Sequence, residues 1–537
     1  MVTIMKRTKI LWITAVLLGL VFDLLFWKNP FGINFAIYVL LCLAGGLLVL
    51  GRNGLKPAWK SLLLLIPILF FAVLTFIRQE PLSLGLSFVS TIGLMSLLAA
   101  SFLGGKWPSY NLTDYIVQFF SLVGSLIARP LIFLSETKRS NAAAEGAASA
   151  PTRSRSGWKR FWAILRGVLI ALPVLAIFSG LLASADLVFA QRLNDFYKLF
   201  RLENLPEYFF RAFYILIIAY ALAGAILHAA GKSQNEKLWS GKPLVPQFLG
   251  FTEAAVVLGA LVVLFAAFVV IQFQYFFGGG ANIGVQGYTY SEYARSGFGE
   301  LIGVAFCSLL LFLGLSAIVK RQNPAERWGF SGLGMGIVVL VGVMLVSAFQ
   351  RLLLYEAAYG FSRLRMYTHV FMIWLGILLA VVVLLELVRR ERLFALAAML
   401  ACVGFALTLA LINVDGSIVR QNVARSRAGQ ELDVAYLASL STDSVPTLVQ
   451  AYQSTSLPAG TREAVGAVLA CRRFTNPDQT DADWRSFTLT RFQARQALNL
   501  VEKNLMQYKL QINVSPVTVT SPAGRKFNCE NYYSSGD

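Results

Sequence analysis

The sequence predicts an all-α polytopic membrane protein of about 11 transmembrane helices, followed by a small, mainly helical soluble domain at the C-terminus. Three observations predict it. Apolar residues make up 57% of the chain and charged residues 14%, against roughly 25% charged in an ordinary globular protein. So few charges cannot cover a water-facing surface of this size, so lipid must solvate much of it. Apolar runs of membrane-crossing length recur from the N-terminus to residue 412 and then stop. From Val414 onward the chain holds 13 Lys/Arg and 11 Asp/Glu, a nearly balanced soluble composition.

A helix needs about 20 apolar residues to cross the hydrocarbon core. Runs that satisfy this lie near 8–27, 32–50, 61–77, 81–104, 161–182, 209–230, 254–277, 301–319, 332–349, 366–387 and 393–412. The first is too long for a secretory signal and lacks a small-residue cleavage site, so it is expected to stay as an anchor. A further segment, 114–134, is apolar but carries Arg129-Pro130 late in the run. Basic residues bias loops toward the cytoplasm. With Lys6, Arg7 and Lys9 inside, alternation gives 24 inside Lys/Arg against 10 outside before the tail. That bias holds if 114–134 lies along the inner surface or dips in and returns. The N-terminus is then cytoplasmic and the tail extracytoplasmic, in a cell (inner or plasma) membrane.

Four regions follow. Residues 1–134 form an N-terminal membrane bundle of four spans plus the interfacial segment. Residues 135–158, with ETKRSNAAAEGAASAPTRSRSG at 136–157, are too poor in aliphatics to bury a core and read as a disordered cytoplasmic linker. Residues 159–412 form a second bundle of seven spans, and 413–537 an extracytoplasmic helical domain. In the tail, Ala494, Leu498, Val501, Leu505 and Tyr508 recur at spacings of three and four, one stripe of a helix, with Asp481 or Asp483 as its expected cap. Shorter helices are expected at 415–428, 432–440, 444–454 and 461–473. The alternating, β-branched QINVSPVTVT after Leu510 reads as one short strand.

The net charge of +19 is not a nucleic-acid signature, because the excess lies in loops between apolar runs and no zinc-finger spacing or aromatic RNA-binding motif accompanies it. Two histidines, His228 and His369, fall near opposite membrane faces. They suggest neither a metal site nor a Ser-His-Asp relay, and no cofactor is implied. Gly332, Gly334 and Gly336 in GLGMG lack the strand and Lys-Ser/Thr of a phosphate loop, so helix packing is expected there and at Gly45-Gly46. Cys42, Cys307 and Cys402 sit in spans. Cys471 and Cys529 lie in the tail, enough for a single disulfide in an oxidising compartment.

Ionisable residues bordering spans are the better clue, since charge is costly in a bilayer. Asp23 lies toward the outer end of the first span. Glu253 opens another span within reach of water, and Glu386 closes one beside Arg389 and Arg390. The densest cluster is at the outer face. Arg351, Tyr355 and Tyr359 share a helical face; Glu356 lies beside them, and Gly360-Phe361-Ser362 ends the helix. Arg363, Arg365, Tyr367 and His369 then open the next span. Guanidinium forks suit phosphate or carboxylate. The cluster therefore reads either as a ligand site for an anionic solute or lipid head, or as an aromatic belt with internal ion pairs to Glu356, Glu292 or Glu300.

These segments carry a resemblance. TYSEYARSGFGEL (289–301), RLLLYEAAYGFSRLRMYTHVFMIW (351–374) and ADLVFAQRL (185–193) resemble a bacterial family of multi-pass membrane proteins. So do NVDGSIVRQNVARS (413–426), LDVAYLASLSTDSVPTL (432–448) and ADWRSFTLTRFQARQAL (482–498) in the tail. The family is catalogued as a domain of unknown function, in the 4153 and 4173 groups. The resemblance implies a bacterial inner-membrane location and supplies no catalytic residues. The leading expectation is an envelope protein that senses, scaffolds or regulates, with the tail as a module for a protein partner. The alternatives are a transporter or flippase using the outer Arg/Glu/Tyr cluster, and a membrane glycosyltransferase built on Asp23.

Overall fold

The computed structural model describes residues 5, 7–146, 178, 182, 186, 191–192, 205–231, 247–277, 298–390, 393–475, 483–511 and 516–529. Among them, eleven helices are long and apolar enough to cross a membrane. The set differs from the expected one in one member. The expected span 161–182 lies almost entirely outside the described residues, and Leu112–Thr137, which contains 114–134, takes its place in the count. Side chains such as Leu17, Leu20, Val263 and Leu264 stand exposed along these helices, which suits a surface solvated by lipid.

The helices in chain order are α1 (Thr8–Phe26), α2 (Ile33–Arg52), the short α3 (Trp59–Leu62), α4 (Leu65–Ile77), α5 (Pro81–Ser101) and α6 (Leu112–Gly146). They continue as α7 (Leu205–Gly231), α8 (Phe251–Phe277), α9 (Phe298–Ile318), α10 (Pro324–Tyr359), α11 (Arg363–Leu387) and α12 (Phe394–Ile412). The chain divides into two compact units, one of Lys28–Leu122 with Ala229–Asp537 and one of Ile4–Trp27 with Val123–His228. This division is drawn differently from the four consecutive regions expected, because the chain's long-range partners cross them.

In the first unit α8, α9 and α10 share a core of Leu258, Ala305, Phe312, Phe330, Ile337 and Val341, which extends to α11 through Leu375 and Leu379. Helix α10 has 36 residues. At 1.5 Å per residue it is about 54 Å long, well beyond a hydrocarbon core of about 30 Å, so its ends project into polar surroundings. Pro324 opens it, and Glu326 turns back to accept from Gln322 N (2.9 Å) and Asn323 N (3.4 Å). Gly334 lets α9 approach: a Cβ there would stand 2.0 Å from the Phe312 ring. Gly336 meets Val262 at 3.6 Å, whereas Gly332 and Gly46 meet nothing within 4 Å, so the packing expectation holds at Gly334 and Gly336 and fails at Gly332 and Gly46.

The C-terminal region belongs to this unit. Its helices are α13 (Val414–Arg427), α14 (Val434–Ala438), α15 (Val445–Gln453), α16 (Ala459–Thr475) and α17 (Leu489–Leu505). Their core holds Ile418, Leu437, Leu448, Val465, Val468 and Val501. The expected cap of α17 is corrected: Asp483 accepts from Arg485 N in a separate turn at Trp484–Ser486, and Thr488 stands at the start of the helix. The expected single strand is two, β1 (Lys509–Gln511) and β2 (Thr518–Thr520), joined by β3 (Lys526–Asn528) in an antiparallel sheet of order β1-β2-β3. Pro516 lacks the amide a continuous strand would need there. Cys471 in α16 is bonded to Cys529 beyond β3, with the Cα atoms 5.5 Å apart.

In the second unit α1 and α7 run antiparallel: Gly19 lies against Ile215 and Ala219, and Asp23 against Arg211. Helix α6 extends to Gly146, so the first part of the expected linker is helical. Three successive α6 residues meet two turns of α7. Ser125 Oγ is 2.8 Å from His228 Nδ1, Leu126 backbone closes on Gly224, and Ile127 O accepts from Tyr220. An aligned pair would put each successive contact about four residues further along both helices, so α6 crosses α7 steeply.

Candidate functional site

The outer cluster is built where α10 ends and α11 begins. Gly360 has φ +83, a conformation that favours glycine, and a Cβ there would lie 2.5 Å from Arg425 Nη1 and 2.6 Å from Asn422 Oδ1. That space admits α13. Asn422 clasps the turn, accepting from Phe361 N at 2.9 Å and donating to Phe361 O at 2.9 Å. Arg425 donates to Ala357 O (2.9 Å) and Ala358 O (3.0 Å), a cation on the carbonyl end of a helix. Burial and the neighbouring Arg365 lower the pKa of its guanidinium.

Arg363 is the centre. Its Nε and Nη2 donate to Asp415 Oδ1 and Oδ2 at 2.8 and 2.6 Å, a bidentate fork. Asp415 is 0% exposed and also accepts from Ser441 N at 2.6 Å. Arg363 N donates to Tyr436 Oη at 2.8 Å, and burial raises the Tyr436 pKa. Arg365 donates to Gly360 O and lies over the Tyr355 ring, 4.1 Å from its centroid; Tyr355 in turn meets Tyr359 at 5.0 Å. Glu356, 1% exposed, faces His369 Nδ1 at 3.2 Å. Glu300 is exposed at the start of α9, and Glu292 lies outside the described residues. Arg351 lies on α10 about one turn before Tyr355 and Glu356. The structure therefore joins Tyr355 to Arg365 and Glu356 to His369, and gives Arg363 a carboxylate from beyond the membrane helices.

Sequence reasoning passed over a second layer. Glu80 caps α5, accepting from Leu82 N (2.9 Å), Ser83 N (2.7 Å) and Ser83 Oγ (2.5 Å), and it also accepts a hydrogen bond from the Tyr367 hydroxyl. Asp443 from the tail accepts from Gln79 N and Glu80 N at 2.9 and 2.8 Å. Burial raises the Asp443 pKa, and those amide donors oppose the rise. Arg78 Nε donates to Ala410 O at 2.7 Å, Thr490 to Ile77 O, and Ile33 N to Phe487 O at 2.9 Å. Arg472, its pKa pushed down to about 10 by burial, bonds Leu440 O (2.7 Å) and Ser444 Oγ (3.0 Å). The loops 28–32, 78–80 and 360–362 thus all meet the C-terminal domain through buried or part-buried hydrogen bonds.

Other expected sites resolve separately. In the second unit Asp23 pairs with Arg211 (2.9 and 2.5 Å) and accepts from Tyr214, while Arg211 lies 5.1 Å from the Trp27 ring centroid. Glu253 accepts from Gly250 N. Glu386 accepts from Ser331 rather than pairing with Arg389 or Arg390. The correction has a local cause: α11 ends at Leu387 and Arg389 takes φ +57, so helical i,i+3 spacing is lost. Among the described residues no group of three His, Cys, Asp or Glu could hold a metal ion.

The residues that build this clamp fall largely within a stretch, 65–451, that matches the family described as a domain of unknown function, DUF4153. The chain belongs to the DUF4153 family. No curated protein and no solved structure matches it. In this DUF4153 member Glu80, Arg363, Asp415 and Asp443 lie inside the matched stretch, whereas Cys471, Cys529 and helix α17 lie beyond it.

Proposed function

We propose that this chain is an envelope protein of the scaffolding or regulatory kind, whose C-terminal domain meets a protein partner on the outer side of the membrane. The observation that carries the reading is the Arg363–Asp415 fork, with Asp415 fully buried. The arginine best suited to an anionic substrate instead fixes the domain to the ends of the helices. Leu500, 72% exposed, and Met506 leave apolar surface on and just beyond α17, which suits a docking face.

Charge supports the sidedness. Helix ends gathered at the domain carry Lys28, Arg78, Arg363 and Arg365. The other ends of the same unit carry Arg52, Lys56, Lys60, Lys106, Lys320, Arg321, Arg327, Arg389 and Arg390. The positive-inside rule supports a domain on the outer side, and the Cys471–Cys529 bond suits that compartment. This comparison does not depend on whether α6 crosses. The steep crossing of α6 over α7 favours a helix lying across the inner surface.

The test is photo-crosslinking in cells from position 500 or 506, together with transport assays in liposomes. Protein adducts formed from outside the cytoplasm support the reading. Movement of an anionic solute or lipid that Arg363→Lys abolishes, with the domain still protease-resistant, would replace it with transport. The buried Glu356–His369 pair is the observation that favours that second reading, since intramembrane ionisable pairs mark ion paths.

A further inference from the structure

The C-terminal domain carries an aromatic turn where it meets the ends of the first spans. Helix α2 has 20 residues, about 30 Å, the thickness of a hydrocarbon core. Arg52 closes it at one edge, so Ile33 stands at the other. There the turn at Trp484–Ser486 docks on the loop 28–32. Phe487 O accepts from Ile33 N at 2.9 Å, and Ser486 Oγ donates to Pro30 O at 3.1 Å. A Cβ on Gly32 would lie 2.6 Å from the Ser486 carbonyl carbon, so the two backbones touch. These contacts set the height of the turn at the edge of the hydrocarbon.

Aromatic side chains are exposed at this level. Trp484 is 62% exposed, and Phe487 and Phe492 are exposed beside it, their ring centroids 5.9 Å apart. Phe31 on the loop is 57% exposed and meets the ring of Phe88 in α5 at 5.1 Å. From there α5 continues with exposed Val89 and Ile92, and α2 with exposed Leu40. The turn itself needs little from water. Arg485 N donates to Asp483 Oδ1 (3.0 Å), Ser486 N to Asp483 O (2.8 Å) and Phe487 N to Trp484 O (3.1 Å). The Asp483 carboxylate pairs with Arg485. Backbone donors satisfied within the protein are what a segment entering lipid requires. An indole at this level has an apolar body for the acyl chains and an N–H for the headgroups, which is why tryptophan collects there. A protein covering the patch would have to stop where the α2 and α5 surface enters the bilayer. Lipid is the occupant continuous with that surface.

We propose that Trp484, Phe487, Phe492 and Phe31 form an interfacial anchor that seats the C-terminal domain in the phospholipid headgroup layer of the adjoining leaflet. The anchor works on whichever side of the membrane the domain lies, and whether or not the domain has a protein partner. Leu500 and Met506, toward the far end of α17 and just beyond it, are not part of it.

The experiment uses the full chain in phosphatidylcholine nanodiscs. It takes the emission lost in Trp484→Phe as that of Trp484, with the Cys471–Cys529 bond checked in both proteins. A nitroxide on the lipid headgroup should roughly halve this emission. A nitroxide near the acyl terminus, or acrylamide in the water, should quench it several-fold less. Photoactivatable phosphatidylcholine reads the wild type without substitution, and adducts on the peptide from Trp484 to Phe492 support the anchor. Acrylamide quenching as strong as for free indole overturns it, because the turn then lies in water. Lipid adducts confined to the spanning helices overturn it too. So does emission shielded from both lipid and acrylamide: shielding in discs of a single copy means that another part of the chain covers the patch, and shielding that needs two copies assigns it to a second chain.

Discussion

The two ends of α10 hold arginines in opposite ways. At its C-terminal end Arg363 meets Asp415 in a bidentate fork, Arg425 caps helix carbonyls and Asn422 clasps the turn. At its N-terminal end Arg321 and Arg389 lie on aromatic rings around a cavity. A buried guanidinium is tolerated where a carboxylate and further donors complete its shell. At the other end of α10 the rings of Phe330 and Trp328 pack against the guanidinium groups instead. The first arrangement holds protein to protein, and the second sets guanidinium groups on aromatic rings beside a cavity. The comparison breaks if substitutions at the two ends cost the same.

The largest effect is expected from Asp415→Ala. It leaves Arg363 and Ser441 N without their acceptor in a buried place, a loss of about 3–5 kcal/mol. Chemical denaturation in detergent, read by protease resistance of residues 413–529, should show it. Arg389→Ala at the cavity should stay within about 1 kcal/mol by the same measurement. Equal losses would mean that the cavity arginines are structural.

Next comes Cys471→Ser. The bond closes a sequence separation of 58, and the entropy of that loop corresponds to roughly 4 kcal/mol as an upper figure. Reduction of the wild type should reproduce the effect, confined to the C-terminal domain. Loss spreading to the cavity end would sink the idea that the two ends are independent. Smaller again is Gly360→Ala, at about 1–2 kcal/mol. It forces a side chain into φ +83 and against Arg425. Its expected signature is a domain that still folds, shown by an intact disulfide, and becomes more protease-sensitive where α13 meets the turn.

The helices were legible because lipid imposes length and hydropathy on each span locally, as in 366–387 against Arg363–Leu387. The clamp was half legible. Arg363 stood out as an arginine at an outer rim, but Asp415 lies 52 residues away and reads alone as an acid in the first turn of a soluble helix. Glu80 and Asp443 gave no signal for a similar reason: each sits at a turn where an acid reads as a local cap, and nothing local tells that the two meet. Asp23 was visible, whereas its partner Arg211 is 188 residues distant. The disulfide partners were legible from their number, because two cysteines in the tail leave one pairing. The cavity escaped because Glu386 and Arg389 looked like a helical pair, and the left-handed backbone at Arg389 that separates them has no sequence mark on a non-glycine residue.

The smallest effect is a pH dependence at the clamp. Burial raises the Asp443 pKa above its ordinary 3.8, with the Gln79 and Glu80 amides and Thr490 pulling the other way. Folding therefore favours the protonated form. The contribution is fully present below pH about 4 and is lost as pH rises through the raised value. Asp443→Asn carries no charge at any pH, and its side-chain oxygen can still accept from both amides. Relative to the wild type, the variant should gain stability progressively as pH rises from 4 to 7, by at most about 1 kcal/mol. Asp483, held down to about 2 by Arg485, has the opposite sense, losing its contribution as pH falls from about 4 toward 2, and it is common to both proteins. The difference between variant and wild type isolates Asp443. A flat difference would show that amide donation offsets burial and that the clamp holds Asp443 as an ionised carboxylate. Arg327→Ala at the cavity should leave this difference curve unmoved, because no chain of contacts on the clamp runs through it.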